Sequence, residues 1–227
     1  MTRQQLVHLA RPLAALAAAA VLTVGLTQST TTAAFTAQTG DTGNQVSSAA
    51  TFCSEPGRVD TLPQVGFPTV DTGIYQSQPT SKFASNPTIG TISSANAVAR
   101  SLIKFTLKGK PAGCVIASAV LTLRVSNGTA GSTIEVFRAA AAWDPTTVDW
   151  TSDPGIVAGS ATSAASAANG FPVQWNVATQ VTALYAGPDY GFEIRDAAEG
   201  VGNNTQLFHS MEATTVANRP QLEITWG

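Results

Sequence analysis

The sequence predicts an all-β protein: a single antiparallel β-sandwich, jelly-roll-like, of about eight to ten strands with one short helix near residues 177–185. Three observations predict it. Arg100 to Leu107 and Val115 to Val125 both alternate apolar and polar residues with period two, the signature of half-buried strands. The 227 residues are 44% hydrophobic and only 11% charged, enough apolar material for one real core. Turn-forming clusters such as Lys108-Gly-Lys-Pro-Ala-Gly113 recur between the apolar stretches.

From the N-terminus, Arg3 and Arg11 precede an apolar run from Leu13 to Leu26, short for a membrane span, and then the small residues Thr31-Thr-Ala-Ala34. Residues 1–34 are expected to be a signal peptide and the protein to be exported; an uncleaved membrane anchor is the alternative. Removing this leader takes two arginines and no acid from a formal charge of −2, leaving −4. A mildly acidic exported chain is a poor partner for nucleic acid, and no membrane association is expected once the leader is gone. Residues 35–55, with few large apolar groups, read as a flexible linker, and 56–227 as the sandwich.

Cys53 and Cys114 are the only cysteines. In an oxidising compartment an even count reads as a disulfide, which would close a loop of about 60 residues and stabilise the fold by ~4 kcal/mol. A short strand is expected near Asp71, followed by an irregular, Pro-punctuated loop to Gly90. The Arg100 and Val115 strands are expected to pair across the Lys108–Gly113 turn. On the second, Val115, Ala117, Ala119, Leu121, Leu123 and Val125 share a face; on the first, Ile103, Phe105 and Leu107 lie opposite Arg100 and Lys104.

Thr133 to Arg138 alternates as a strand, and Trp143 to Trp150 follows as a loop. The Ala/Ser/Gly-rich segment from Ile156 to Gly170 has no period and reads as an exposed loop. Val173, Trp175 and Val177 form a strand; Asn176 caps a helix with Val177, Val181 and Leu184 on one side, stopped by Gly187-Pro188. Tyr190 to Arg195 and Leu207 to Met211 read as strands around a polar hairpin, Asp196 to Asn204, and Gln221 to Trp226 as the last strand.

Several landmarks together resemble one family. Asp71-Thr72, Asn86-Pro-Thr-Ile-Gly90, Arg100-Ser-Leu-Ile-Lys-Phe105, Ala119-Val-Leu-Thr-Leu-Arg124, Trp143-Asp-Pro-Thr-Thr-Val-Asp-Trp150, Trp175 to Val181, Tyr190 to Arg195, Phe208-His-Ser-Met-Glu212 and Arg219 to Trp226 follow the order of the DNRLRE domain family, which overlaps carbohydrate-binding module family 96. The resemblance implies a secreted jelly-roll-like module, some of whose relatives bind acidic polysaccharides such as alginate. This chain departs in carrying Gly73 where an aromatic is usual, and no catalytic domain is expected beside the module. The stretch from Ala33 to Cys53 resembles the start of Gram-positive proteins matured by a SipW-type peptidase, the TasA-like matrix proteins among them. That implies a bacterial cell-surface or matrix setting.

Candidate site residues follow from chemistry. Arg100, Lys104, Arg124, Arg138 and Arg195 occupy strand positions; on one sheet face they would hydrogen-bond uronate carboxylates or sugar hydroxyls. Alternatively, Arg100 pairs internally with Glu212 and the others are solvated. Trp143 and Trp150 would form a sugar-stacking platform, or would plug an edge of the sandwich. Asp144, Asp149 and Asp153 are candidate calcium ligands without EF-hand spacing. No other cofactor is expected.

Outside the leader, His209 is the only histidine and reads as a packed strand residue. No nucleophile elbow, zincin motif or phosphate loop is present; Glu193 and Glu212 are the candidates for a glycosidase pair. The expectation is therefore a non-catalytic extracellular carbohydrate-binding module for acidic polysaccharide, bound through Arg100, Lys104, Arg124, Arg195 and the two tryptophans. The alternative is a structural cell-surface or matrix protein with protein partners.

Overall fold

The computed structural model of the protein describes residues 52–128 and 130–227. The expected leader and nearly all of the linker lie outside the described residues. Among the described residues eleven strands and one α-helix follow in order: β1 (Val59–Leu62), β2 (Thr69–Tyr75), β3 (Thr88–Ser94), β4 (Ala97–Phe105), β5 (Ile116–Gly128), β6 (Thr133–Arg138), β7 (Thr162–Ala165), β8 (Pro172–Asn176), α1 (Ala178–Ala186), β9 (Phe192–Asp196), β10 (Asn203–His209) and β11 (Gln221–Trp226). All strand pairs are antiparallel. The all-β expectation holds, with more strands than the eight to ten expected.

Two long strands organise the sheet. β5 pairs with β11 and β8 on its two edges, and its last residues turn to pair with β10. β4 pairs with β2 along one edge and with β3, then β9, along the other. β9 continues to β6 and β6 to β7, while β3 meets β10, so the sheet curls until β4 and β5 face each other across one core. Ile103, Phe105, Ile134, Phe192 and Ile194 enter that core from one side and Leu121, Leu123, Trp175, Leu222 and Ile224 from the other. Each such side chain contributes about 1.5–3 kcal/mol on burial. The one indole polar atom of Trp175 is satisfied by the Ile134 carbonyl at 2.9 Å.

β4 and β5 are thus not the expected pair. The Thr106–Val115 connection is too long for a hairpin and carries the chain across the core instead. Cys114 in this crossover forms the disulfide with Cys53, and Ser54 and Gly57 hydrogen-bond Ala112 and Trp226, so residues 53–57 are tied to the crossover and the last strand. On β5 the buried face is Ala119, Leu121, Leu123 and Val125; a bulge opposite Trp226 turns Val115 and Ala117 outward.

The helix forms where expected. Val177, Val181 and Leu184 are buried and Gly187 ends it, but Asn176 accepts from Ala178 N at 3.1 Å one residue ahead of the cap position, which Val177 occupies. Other expectations are corrected. Residues 156–170 contain β7, whose small Thr-Ser-Ala-Ala sequence gives no hydrophobic contrast to read. The Pro-punctuated loop ends at Pro87, because Thr88 begins β3. Residues 196–204 are no hairpin: β9 lies between β4 and β6, and β10 between β3 and β5.

Candidate functional site

Strand alternation places Arg100, Leu102 and Lys104 on the side of β4 turned away from the main core. The loop after β6 folds over this side and buries Trp143 and Val148 against Leu102, Ile74 and Ala139 in a second small core. The same loop delivers Asp153 to Arg100, and the turn after β9 delivers Glu199. Arg100 holds Glu199 with two bonds of 2.7 Å, also bonds Asp153, and stacks over Trp150 at 4.6 Å. Arg195, neighbouring it on β9, bonds Glu193 and lies near Asp153 and Glu199.

Glu193 is fully buried, with one carboxylate oxygen unpartnered, and burial pushes it up to about 7 against the pull of Arg195. Two guanidiniums therefore face three carboxylates. The expected pairing of Arg100 with Glu212 is replaced by this cluster.

Lys104 has a different setting. Its ammonium lies 5.2 Å from the Trp143 ring centroid and 3.5 Å from the Trp143 carbonyl, and no carboxylate is within ion-pair distance among the described residues. Beyond it the chain leaves β4 as Thr106 to Lys110 and passes the C-terminal half of α1. Lys104, Lys108, Lys110, Tyr185 and Asp189 line a shallow trough of about 530 Å³ there. Its wall is held from below: Lys108 Nζ bonds buried Asp60 at 2.8 Å, and Tyr185 donates its hydroxyl to the Lys108 carbonyl at 2.8 Å.

Asp60 also accepts from Arg58 at 2.6 Å and Trp226 at 2.8 Å; these partners outweigh its burial and hold it at about 2. Lys110 is exposed and makes no ion pair among the described residues. Asp189 stands beside the lysines, its carboxyl pushed up by burial and its Oδ1 accepting from Gly191 N at 3.0 Å.

The remaining sequence candidates lie elsewhere. Arg124 sits on β5, in the other half of the curled sheet, and donates to the Gly170 carbonyl at 2.5 Å. Trp143 is buried, its indole N–H bonded to the Tyr190 carbonyl at 2.7 Å, and Arg100 covers Trp150, so the two rings belong to the loop's own packing. The three loop aspartates do not converge. Asp144 closes a turn on Thr146; Asp149 caps the 3-10 turn at Trp150–Ser152 and pairs with Lys82, held well below the usual carboxylate range by Lys82 and Thr151; Asp153 belongs to the Arg100 cluster. Among the described residues no group of three or more His, Cys, Asp or Glu is placed to hold a metal.

Glu212 is not on a strand but in the exposed turn after β10, next to Asp71. Asp71 is core-facing, opposite Ile103, whereas Glu193, opposite Leu102, points to the other side of the sheet. Glu193 and Glu212 therefore share no site. His209 is half-buried on β10, opposite Thr88, with Leu207 and Met211 also only half-buried; the fully buried face is Gln206, Phe208 and Ser210.

The sequence reading missed Lys108, Lys110 and Tyr185. The signal was present in Lys104, Lys108 and Lys110 recurring where β4 ends, but the two later lysines stand in a turn, where charge is ordinary.

No curated protein matches the chain significantly. The family model for carbohydrate-binding module family 96 matches residues 64–226, which take in β2 to β11 and every wall of the trough. The protein belongs to carbohydrate-binding module family 96.

Proposed function

We propose that the chain is a non-catalytic, extracellular carbohydrate-binding module that takes acidic polysaccharide along the lysine trough. The observation that carries this reading is the contrast in charge pairing: among the described residues Lys104 and Lys110 make no ion pair with a carboxylate, while the strand arginines Arg100 and Arg195 do. Ammonium groups in a shallow, open trough suit the spaced carboxylates or sulfates of a glycan chain, and Asp189 and backbone carbonyls suit its hydroxyls. Affinity comes from several weak, solvent-screened contacts and is therefore salt-sensitive. The disulfide fits export to an oxidising compartment.

Affinity gels carrying alginate, pectin, xylan or cellulose test this at low and high salt. Retention is expected on the acidic gels at low salt only, and the Lys104→Ala, Lys110→Ala double variant should lose it with an unchanged melting curve. No retention of the folded protein on any gel would turn the reading toward a structural surface protein, for which self-association by sedimentation is the measure.

A further inference from the structure

We propose that a second cavity, between the loop after β6 and the first turn of α1, binds one acidic sugar unit through its anionic group on Arg138. Six arginines lie among the described residues. Five have protein acceptors for their guanidinium: Arg58 has Asp60 and Glu55, Arg100 has Glu199 and Asp153, Arg195 has Glu193, Arg124 the Gly170 carbonyl and Arg219 the Ala213 carbonyl. Arg138 alone has none. It is half-buried and lines a cavity of about 470 Å³, within the ~300–1,000 Å³ of small-ligand sites.

The cavity is built rather than incidental. Both backbone groups of Arg138 are tied to its far wall, the N–H to Ser160 Oγ at 3.0 Å and the carbonyl to Val157 N at 2.9 Å. Gln180, buried on the first turn of α1, donates to the Ser160 carbonyl at 2.8 Å and so fixes the helix to the same loop. Thr162, Asn176 and Thr179 add hydroxyl and amide groups to the lining, and no Asp or Glu contributes to it. A partly desolvated guanidinium with no internal carboxylate, ringed by neutral groups that both donate and accept, complements an anion attached to a polyol. That chemistry is a sugar bearing a carboxylate or a sulfate. The sugar part rests on the carbohydrate reading of the module; the anion part rests on Arg138 and needs nothing from the lysine trough.

Amide chemical shifts of the purified full chain, titrated with glucuronate, glucose, a glucose sulfate and inorganic sulfate, test it. Glucuronate or the sugar sulfate should shift the amides of residues 158–162 and 178–180 saturably, and glucose should not. Arg138→Gln should weaken that response about ten-fold or more. Thr179→Glu, an exposed change that places a carboxylate at the rim, should do the same should the arginine variant fail to fold. The Lys104→Ala, Lys110→Ala protein should keep the response while losing gel retention, which separates this site from the trough. A glucuronate response that survives both Arg138→Gln and Thr179→Glu, or none in the unaltered protein with either acidic sugar, overturns the site. Inorganic sulfate binding as tightly as both sugars overturns its assignment to a sugar.

Discussion

Arg100 and Lys104 stand four residues apart on the same side of β4, and the fold treats them oppositely. Around Arg100 the loop after β6 and the turn after β9 bring in Asp153, Glu199 and Trp150, and Glu193 rises from the neighbouring strand. Around Lys104 the covering loop supplies Trp143 but, among the described residues, no carboxylate within ion-pair distance, and the chain then runs out into two further lysines. A strand's alternation fixes which way a cation points; the loops that arrive over it decide whether its charge holds the fold together or stays available to a ligand. The cluster is a structural device and the trough is the proposed binding surface, and the two should respond differently to every perturbation.

The largest difference is expected from removing the guanidinium. Arg100→Ala takes away the partner of Glu199 and Asp153 and leaves buried Glu193 with Arg195 alone. Breaking a largely buried ion-pair group in this way should cost on the order of 3 kcal/mol, read by urea denaturation. Retention of the folded variant on an acidic gel should stay at the level of the unaltered protein. Loss of retention in a variant shown to be folded would erase the distinction between the two regions.

Next comes pH. Burial holds Glu193 at about 7, above its ordinary 4.5. A raised carboxyl contributes stability that is complete below the ordinary value and is lost as pH climbs through the folded one. Glu193 should therefore make stability fall from about pH 5 to pH 7 by on the order of 2 kcal/mol, read as a falling melting temperature, and Glu193→Gln should reduce that slope. Glu193 lies outside the trough, so retention on a sulfated gel should not fall with this slope. An unchanged slope in the Glu193→Gln protein would place the titrating group elsewhere, with Asp71, buried and pushed up to about 8, the next to test.

How far the sequence could anticipate this follows from the same contrast. Period-two alternation made β4, β5, β6, β8 and β11 readable, and the helix stood out because Val177, Val181 and Leu184 share a face that Gly187 closes. The pairing of strands was not readable, since β4 and β5 are consecutive yet meet only across the core, and β7 was hidden by side chains too small to show a period. At the site, Arg100, Lys104 and Arg195 were recognisable as strand cations. The partners of Arg100, Asp153 and Glu199, come from loops about 50 and 100 residues away, which no local pattern encodes. Lys108 and Lys110 were in view as turn residues, but nothing in the sequence says that α1 sets Tyr185 against them.

The smallest effect should come from that last contact. Tyr185→Phe removes the hydroxyl that donates to the Lys108 carbonyl and keeps the ring, which packs edge-on against Trp226 with centroids 5.2 Å apart. Lys108 is half-exposed, so its freed carbonyl can accept from water, and the cost should stay near the low end for a hydrogen bond, about 0.5–1 kcal/mol. The lysine-bearing segment would still be held to the fold by the Lys108–Asp60 pair and by Arg58, which donates to the Gly109 carbonyl at 3.1 Å. Because Tyr185 supports the wall and supplies no charge, retention on an acidic gel should weaken only about two-fold, far less than in the Lys104→Ala, Lys110→Ala protein. A loss as deep as that of the double variant would mean that the Tyr185 hydroxyl meets the glycan itself, extending the binding surface from the lysines onto the helix.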